Sequence, residues 1–137
     1  MPNIQISFYC ECGGDIMVEV EVVKYLDDEN TEAIVKLTSG KISLLAYDYP
    51  HIDPINKCDC YLSCFLANNI RTVECFRAPI QPNPGTFDYC LVAEVINPEK
   101  RLVQIGDIKI FLDIPLPKDI LVGRFIEFDV VRLDYNA

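Results

Sequence analysis

The sequence predicts an all-β fold, a single antiparallel barrel or sandwich of about ten short strands joined by tight hairpins. Three observations support this class. Apolar and polar residues alternate through most of the chain, which is the pattern of half-buried strands. Turn-forming dipeptides, including Ser39-Gly40 and Gly106-Asp107, separate the alternating segments. Helical spacing of apolar residues is confined to two short stretches.

The first hairpin is predicted around the stretch FYCECGGD at residues 8–15. Every second residue from Ile4 to Cys12 is aliphatic, aromatic or cysteine, and every second residue from Ile16 to Val22 is aliphatic. A two-residue loop would place Phe8 opposite Glu19, so the pattern favours a three-residue loop at 13–15. That loop pairs Cys12 with Ile16, Cys10 with Val18, Phe8 with Val20 and Ile6 with Val22.

Two-residue turns predict three further hairpins. The pairs are Leu37 with Ile42, Val35 with Leu44 and Ala33 with Ala46 across Ser39-Gly40; Cys64 with Val73 and Leu62 with Cys75 across Asn68-Asn69; and Ile105 with Ile108, Val103 with Ile110 and Gln104 with Lys109 across Gly106-Asp107. A loop at 97–100 links a strand over 87–96 to one that begins at Arg101. A last strand spans about residues 124–135, with Ile126, Phe128 and Val130 on one side. Residues 60–69 also fit a short helix, and residues 115–123 fit one helical turn closed by Gly123.

The spacing of strands and loops over residues 87–135 resembles that of oligonucleotide-binding-type small barrels. The resemblance covers about a third of the chain and lies in this spacing, not in a motif. It implies an OB-like C-terminal part. It does not imply a function, because such barrels serve many unrelated functions.

The composition predicts one cytoplasmic domain over residues 1–137. Of the 137 residues, 50% are hydrophobic, which is enough for a single sizeable core. The N-terminus lacks the basic and apolar regions of a signal peptide, and no uncharged stretch approaches the ~20 residues of a membrane helix. The 7 cysteines are odd in number, and without an export signal we expect them to be reduced.

The cysteine spacing has two interpretations. Cys10 and Cys12 with Cys58 and Cys60 supply four thiolates for a tetrahedral zinc if their strands are neighbours. However, these four and Cys64 all fall on the inward side of alternating strands, where a thiol packs as a small hydrophobe. We therefore expect no cofactor, and a zinc-stabilised structural β-domain is the alternative.

Catalytic residues are scarce in the sequence. The sequence places no nucleophile beside its single histidine, His51. It also contains no phosphate-cradling glycine loop and no HExxH motif. We expect His51 to be a solvated loop residue or to hydrogen-bond its own turn. Thiols buried among aliphatic residues have a raised pKa and are poor nucleophiles. A non-catalytic protein is therefore expected.

The charge pattern argues against nucleic-acid binding. The formal net charge is −9, and the 12 Lys and Arg residues are scattered along the sequence. Proteins that bind single strands combine aromatic platforms with a basic groove. Because tyrosines and phenylalanines are present, a single-strand-binding small barrel is the second alternative.

The same charge favours a basic protein partner. Acidic residues follow the outward side of the first hairpin and the loop after it, and are expected to make one end of the molecule strongly negative. The tyrosine-rich stretch YDYPHIDP also suits an interface. The predicted partner-binding residues are Glu11, Asp15, Glu19, Glu21, Asp27, Asp28, Glu29, Tyr47, Asp48, Tyr49, His51 and Asp53. The functional hypothesis is an acidic inhibitor or immunity-type protein that occupies a basic nuclease or another nucleic-acid-binding protein.

Overall fold

The structure, a computed structural model, describes residues 7–11, 17–52, 61–83 and 85–136. In these ranges the strands are β1 (Ser7–Glu11), β2 (Met17–Tyr25), β3 (Ala33–Ser39), β4 (Ile42–Asp48), β5 (Tyr61–Phe65), β6 (Asn68–Val73), β7 (Tyr89–Asn97), β8 (Leu102–Ile105), β9 (Ile108–Phe111), β10 (Phe125–Val130) and β11 (Arg132–Asn136). The all-β class is confirmed. The helical alternatives are wrong for residues 61–69 and 115–123, which form strands and turns. The described residues contain no helix that is long and apolar enough to cross a membrane.

The strands form one sheet in the order β1-β2-β3-β4-β11-β5-β9-β8-β7-β10-β6. Among the described strands, β1 and β6 are the two edges, so the sheet is not closed into a barrel. Neighbouring strands are antiparallel except for two pairs: β4 with β11 and β5 with β9 run parallel. The prediction of a purely antiparallel sheet is therefore wrong. Parallel neighbours require long connections, and the members of both pairs are distant in the sequence.

The β1–β2 and β8–β9 hairpins follow the predicted register. In the first, Phe8 pairs with Val20 and Cys10 with Val18, as predicted; the other two predicted pairs include residues outside the described ranges. The β8–β9 hairpin has all three predicted pairs, including Gln104 opposite Lys109. In the β8–β9 hairpin, buried Val103 and Ile105 stand opposite buried Ile110 and Ile108, as the alternation requires.

The β3–β4 hairpin differs from its prediction by two residues. Leu37 pairs with Leu44 and not with Ile42, and the turn residues are Gly40 and Lys41. Gly40 has a φ of +60°, which glycine adopts without steric cost. Ser39 stays in β3 because its side chain is buried and its Oγ accepts a hydrogen bond from the Asp107 N–H, at 2.9 Å. A shift of two residues preserves the inward face, so the sequence pattern does not distinguish the two registers.

The predicted β5–β6 hairpin is wrong. β5 lies between β11 and β9, and β6 instead pairs with the outer edge of β10. The chain turns away after β5 at Leu66, which has a φ of +58°. β5 carries the buried Leu62 and Cys64, whereas β6 is mostly exposed. The central strand therefore pairs with two strands from distant parts of the chain, and the exposed strand forms an edge.

The segment predicted as one last strand forms two strands, β10 and β11, which are separated by Val131. Ile126, Phe128 and Val130 are buried as predicted, and the next buried residues are Leu133 and Tyr135. The interruption shifts the alternation by one residue. It also changes the neighbours of the chain, because β10 pairs with β7 and β6, whereas β11 pairs with β4 and β5.

One buried cluster includes residues from β2 through to β10 and β11, so strands from both halves of the sheet face the same core. Two hydrogen-bonded contacts connect strands that are not neighbours: Ser39 of β3 contacts Asp107 at the β8–β9 turn, and the Leu45 N–H of β4 donates to the Tyr89 hydroxyl of β7, at 2.9 Å. The approach at the β8–β9 turn is close, because a Cβ on Gly106 would lie 2.7 Å from the Ser39 Oγ. The sheet therefore curls over its own core.

Candidate functional site

The acidic residues predicted to form one negative end lie at two ends of β2. Residues 12–16 join β1 to β2 at the Met17 end, whereas the loop at 26–32 follows the Tyr25 end. Glu19 lies six residues before Tyr25, where the loop begins, which is roughly 20 Å along an extended strand. The prediction of one strongly negative end is therefore wrong. Glu11 lies in β1, and Asp15 is outside the described residues.

One of the two acidic residues in the middle of β2 is paired with a basic residue of the neighbouring strand. Glu21 stands opposite Lys36 of β3, and their side chains form an ion pair of 2.9 Å. Glu19 stands opposite the neutral Thr38. The Glu21 charge is thus compensated within the sheet.

The loop at 26–32 is organised by Asp27. Its carboxylate accepts hydrogen bonds from the backbone N–H groups of Thr31, at 2.9 Å, and Glu32, at 3.0 Å, and from the Thr31 hydroxyl. The Thr31 hydroxyl and then the Glu32 N–H lower the pKa of Asp27 below its ordinary value, because they stabilise the ionised form. The Leu26 N–H donates to the Glu32 carbonyl at 2.9 Å and closes the base of the loop. Asp27 therefore shapes the loop, and its two neighbours Asp28 and Glu29 are exposed.

Residues 48–52 are attached to this loop through His51. The His51 N–H donates to the Thr31 carbonyl at 2.7 Å. The His51 Nδ1 lies 2.6 Å from the Asp48 Oδ2, and the imidazole is 0% exposed. The Tyr25 ring meets the imidazole edge-on, with 5.6 Å between ring centroids. Of the two expectations for His51, the hydrogen-bonded turn residue is observed and the solvated residue is not.

The two attached segments expose three large apolar side chains beside two acidic ones. Leu26, Tyr49 and Ile52 are 42%, 61% and 69% exposed. Asp28 and Glu29 lie on the same loop as Leu26. We call residues 26–32 and 48–52 the two-loop surface. Leu26 and Ile52 are not among the predicted partner-binding residues, although apolar residues inside otherwise polar loops are a signal for such a surface.

Of the remaining predicted residues, Tyr47 lies on the outer side of β4 and Asp53 is outside the described ranges. The Tyr47 hydroxyl donates to the Glu32 carboxylate at 3.0 Å, and desolvation with this hydrogen bond raises the pKa of Tyr47. The Arg132 guanidinium stacks on the rings of Tyr47 and Phe65, at 4.9 and 4.7 Å. The Arg132 Nε also donates to Asp134 at 2.6 Å. This aromatic and arginine row is therefore charge-paired, unlike a basic groove for nucleic acid.

The pairing of His51 with Asp48 resembles the histidine and carboxylate of a catalytic triad. Here, however, the imidazole is fully buried, so in this arrangement the pair contacts the protein interior and positions residues 48–52. In the part of the chain that the structure describes, no group of three or more His, Cys, Asp and Glu residues is placed to hold a metal ion.

Most of the candidate zinc ligands are not placed by the structure. Cys12, Cys58 and Cys60 lie outside the described residues, and Cys10 is placed only as a position in β1. Cys64 is buried, and desolvation raises the pKa of its thiol. This is consistent with the prediction of a packed, unreactive thiol at this position.

No family model matches the chain, and no curated protein or solved structure matches it either. The functional interpretation therefore rests on the geometry of the two-loop surface.

Proposed function

We propose that this chain is a non-catalytic protein-binding module whose two-loop surface occupies a basic protein partner, as an inhibitor or immunity-type protein does. The supporting observation is the attachment of residues 48–52 to the loop at 26–32, which presents Leu26, Tyr49 and Ile52 beside Asp28 and Glu29. The partner class is a nuclease or another nucleic-acid-binding protein, whose positive surface complements the acidic rim.

The apolar members supply the binding energy in this proposal. Interfaces combine an apolar, aromatic centre with a polar rim, and tyrosine is enriched among the residues that dominate affinity. Tyr49 is 61% exposed, so a partner can cover a large part of its ring. Its loss is expected to weaken binding by roughly 1–2 kcal/mol, or about tenfold.

The acidic members supply rate and orientation. Asp28 and Glu29 are exposed and belong to a chain of net charge −9. Opposite potentials speed the encounter of two proteins and lose effect as salt is added. Asp27 contributes indirectly, because its carboxylate is committed to Thr31 and Glu32.

A test of the acidic rim has to change only exposed side chains. Reversing Glu19, Glu21, Asp27 and Asp28 together would break the Glu21–Lys36 ion pair and the Asp27 hydrogen bonds. The double variant Asp28→Lys/Glu29→Lys changes only exposed side chains. Glu74→Lys/Glu99→Lys is a matched control, because both residues are exposed and its net charge is the same.

The experiment compares the proteins that immobilised wild type and the two double variants retain from an extract of the source cells. We expect wild type and control to retain a common basic protein that Asp28→Lys/Glu29→Lys loses. Calorimetry on the purified pair should then show at least a tenfold weaker Kd for this variant, and added wild type should inhibit the partner's activity on nucleic acid. Equal binding by all three chains would contradict the proposal.

The proposal does not require the sheet to be a sandwich or OB-like, and both descriptions stay predictions, as does a cytoplasmic location. The zinc-stabilised domain and the single-strand-binding barrel also stay alternative predictions. Elemental analysis of the untagged protein tests the first, and titration of a labelled oligonucleotide at low salt tests the second.

A further inference from the structure

The Tyr47 hydroxyl joins the two-loop surface to the sheet. Tyr47 lies on the outer side of β4, opposite Ile34 of β3, and Glu32 precedes Ile34 by two residues. Diagonal neighbours of this kind on antiparallel strands are within reach of a long or aromatic side chain. The Tyr47 hydroxyl donates to the Glu32 Oε2 at 3.0 Å. Because Glu32 is the last residue of the loop at 26–32, this bond attaches the loop to β4.

Glu32 also closes the loop through its backbone. Its N–H donates to the Asp27 carboxylate at 3.0 Å, and its carbonyl accepts from the Leu26 N–H at 2.9 Å. The hydrogen bonds of the Asp27 carboxylate lie within the loop, so they set the shape of the loop and not its position on the sheet. The bond from Tyr47 therefore acts on the residue to which the start of the loop is already tied.

The Tyr47 ring is itself held in place. The Arg132 guanidinium of β11 lies over it, with 4.9 Å from Cζ to the ring centroid, and over the Phe65 ring of β5 at 4.7 Å. The Arg132 Nε also donates to Asp134 at 2.6 Å. A guanidinium bound to two aromatic faces and a carboxylate has little freedom left. The Tyr47 hydroxyl is therefore directed at Glu32 in the free protein.

We propose that Tyr47 is a positioning residue of the two-loop surface. In this role its hydroxyl holds Glu32, and through it the exposed side chains that the loop presents to the partner. The inference rests on the proposed function, which gives the two-loop surface a partner. Tyr47, predicted from the sequence as a direct contact, acts indirectly here. A loop that is fixed before binding loses less conformational entropy on association, so the affinity is higher.

Hydrogen exchange of the free protein, measured by NMR on the full chain, tests whether the hydroxyl holds the loop. Tyr47→Phe removes the hydroxyl and keeps the ring. We expect the protection factors of the Leu26 and Thr31 amides to fall about fivefold, which is the effect of one hydrogen bond on the opening equilibrium. Both amides donate within the loop, Leu26 to the Glu32 carbonyl and Thr31 to the Asp27 carboxylate.

Glu32 provides the complementary variants. Glu32→Gln keeps an oxygen that accepts from the Tyr47 hydroxyl, so its protection factors should stay within about twofold of wild type. Glu32→Ala removes the acceptor and should match Tyr47→Phe. The double variant Tyr47→Phe/Glu32→Ala should be no less protected than Glu32→Ala, because the two substitutions remove the same interaction.

Tyr61→Phe is the matched control. Tyr61 is a half-buried tyrosine on the outer side of β5, and its ring contacts Phe111 edge-on, with 5.0 Å between ring centroids. The substitution removes a hydroxyl elsewhere on the sheet, so the loop amides should keep the protection of wild type. Circular dichroism should show that all the variants are folded. Equal protection in wild type and Tyr47→Phe overturns the proposal, and so does unchanged protection in Glu32→Ala.

Calorimetry with the basic protein purified on immobilised wild type tests the connection to binding. Tyr47→Phe should raise Kd about twofold or more, because the apparent Kd rises as the fraction of molecules with the loop in place falls. Tyr61→Phe should bind as wild type does. If the partner is retained and Tyr47→Phe leaves Kd unchanged, only the positioning role is wrong. If wild type retains no basic protein, the proposed function is wrong, and the exchange result alone shows whether Tyr47 holds the loop.

Discussion

The two-loop surface and the turn at residues 118–124, which we call the apolar turn, both expose large apolar side chains outside the strands, but different interactions hold them. Side-chain hydrogen bonds hold the two-loop surface: Asp27 organises one loop, and His51 with Asp48 attaches the other. Backbone hydrogen bonds to β7 and the burial of Ile120 hold the apolar turn. The conformation of the two-loop surface therefore depends on a few polar side chains and on pH, whereas the conformation of the apolar turn depends on packing.

The largest effect is expected from Ile120→Ala in the apolar turn. Truncation of a buried isoleucine loses its transfer free energy and leaves a cavity, which costs roughly 2–5 kcal/mol. Urea unfolding followed by circular dichroism measures the change in free energy of unfolding. Leu121→Ala is the matched control, with an expected change within about 0.5 kcal/mol because this neighbour is exposed. Equal costs for the two substitutions would show that packing does not hold the turn.

The next effect is expected from His51→Ala in the two-loop surface. The substitution removes a side-chain hydrogen-bonding contact of Asp48, whose carboxylate is 11% exposed. Loss of a hydrogen bond to a largely buried charged group costs roughly 1–3 kcal/mol. The free energy of unfolding from urea titration is the measurement, with Tyr49→Ala as an exposed control on the same segment. If both variants are equally stable, the histidine does not hold residues 48–52.

The smallest effect concerns pH and distinguishes the two regions most directly. Because the folded-state pKa of Asp27 is lowered, its ionised form stabilises the fold above the unfolded-state pKa of about 4. This contribution is lost as pH falls through the folded-state pKa. Asp27→Asn should therefore destabilise the protein at pH 7, and the difference from wild type should shrink towards pH 3.

Urea titrations of wild type and Asp27→Asn at both pH values measure this change. Leu121→Ser/Val122→Ser serves as the control, because the apolar turn is held by packing and backbone bonds and its effect should not vary in this pH range. A difference for Asp27→Asn that is the same at pH 7 and pH 3 would contradict the assigned role of the carboxylate.

Contacts within hairpins were predicted better than contacts between distant strands, although the register of the equally short β3–β4 hairpin was wrong by two residues. The β8–β9 hairpin was predicted pair by pair, since its strands are separated by two residues and the alternation of Val103, Ile105, Ile108 and Ile110 fixes their faces. β5 was assigned a wrong neighbour, although the burial of Leu62 and Cys64 matched the alternation. The edges available to β5 belong to β9 and β11, which come much later in the chain.

The candidate site was predicted in part for the same reason. Acidic and tyrosine-rich segments identified Asp28, Glu29 and Tyr49. The side-chain contacts of Asp27 with Thr31 and Glu32, and of His51 with Asp48, lie within single loops. The sequence does not indicate the bond from the His51 N–H to the Thr31 carbonyl, which joins the two loops. The exposure of Ile52 likewise depends on which other segments of the chain pack against its loop.

Local sequence patterns were enough for the strand class, the inward face of most strands and two of the four predicted hairpins. These properties depend on side-chain alternation and on turn residues within a few positions of one another. Four features depend on contacts between segments that are distant in the sequence. They are the strand order, the two parallel pairs, the separation of β10 from β11 and the joining of residues 26–32 to residues 48–52. The physical reason is that alternation specifies which side of a strand is buried, whereas competition among all the free strand edges of the chain decides which strand lies beside it.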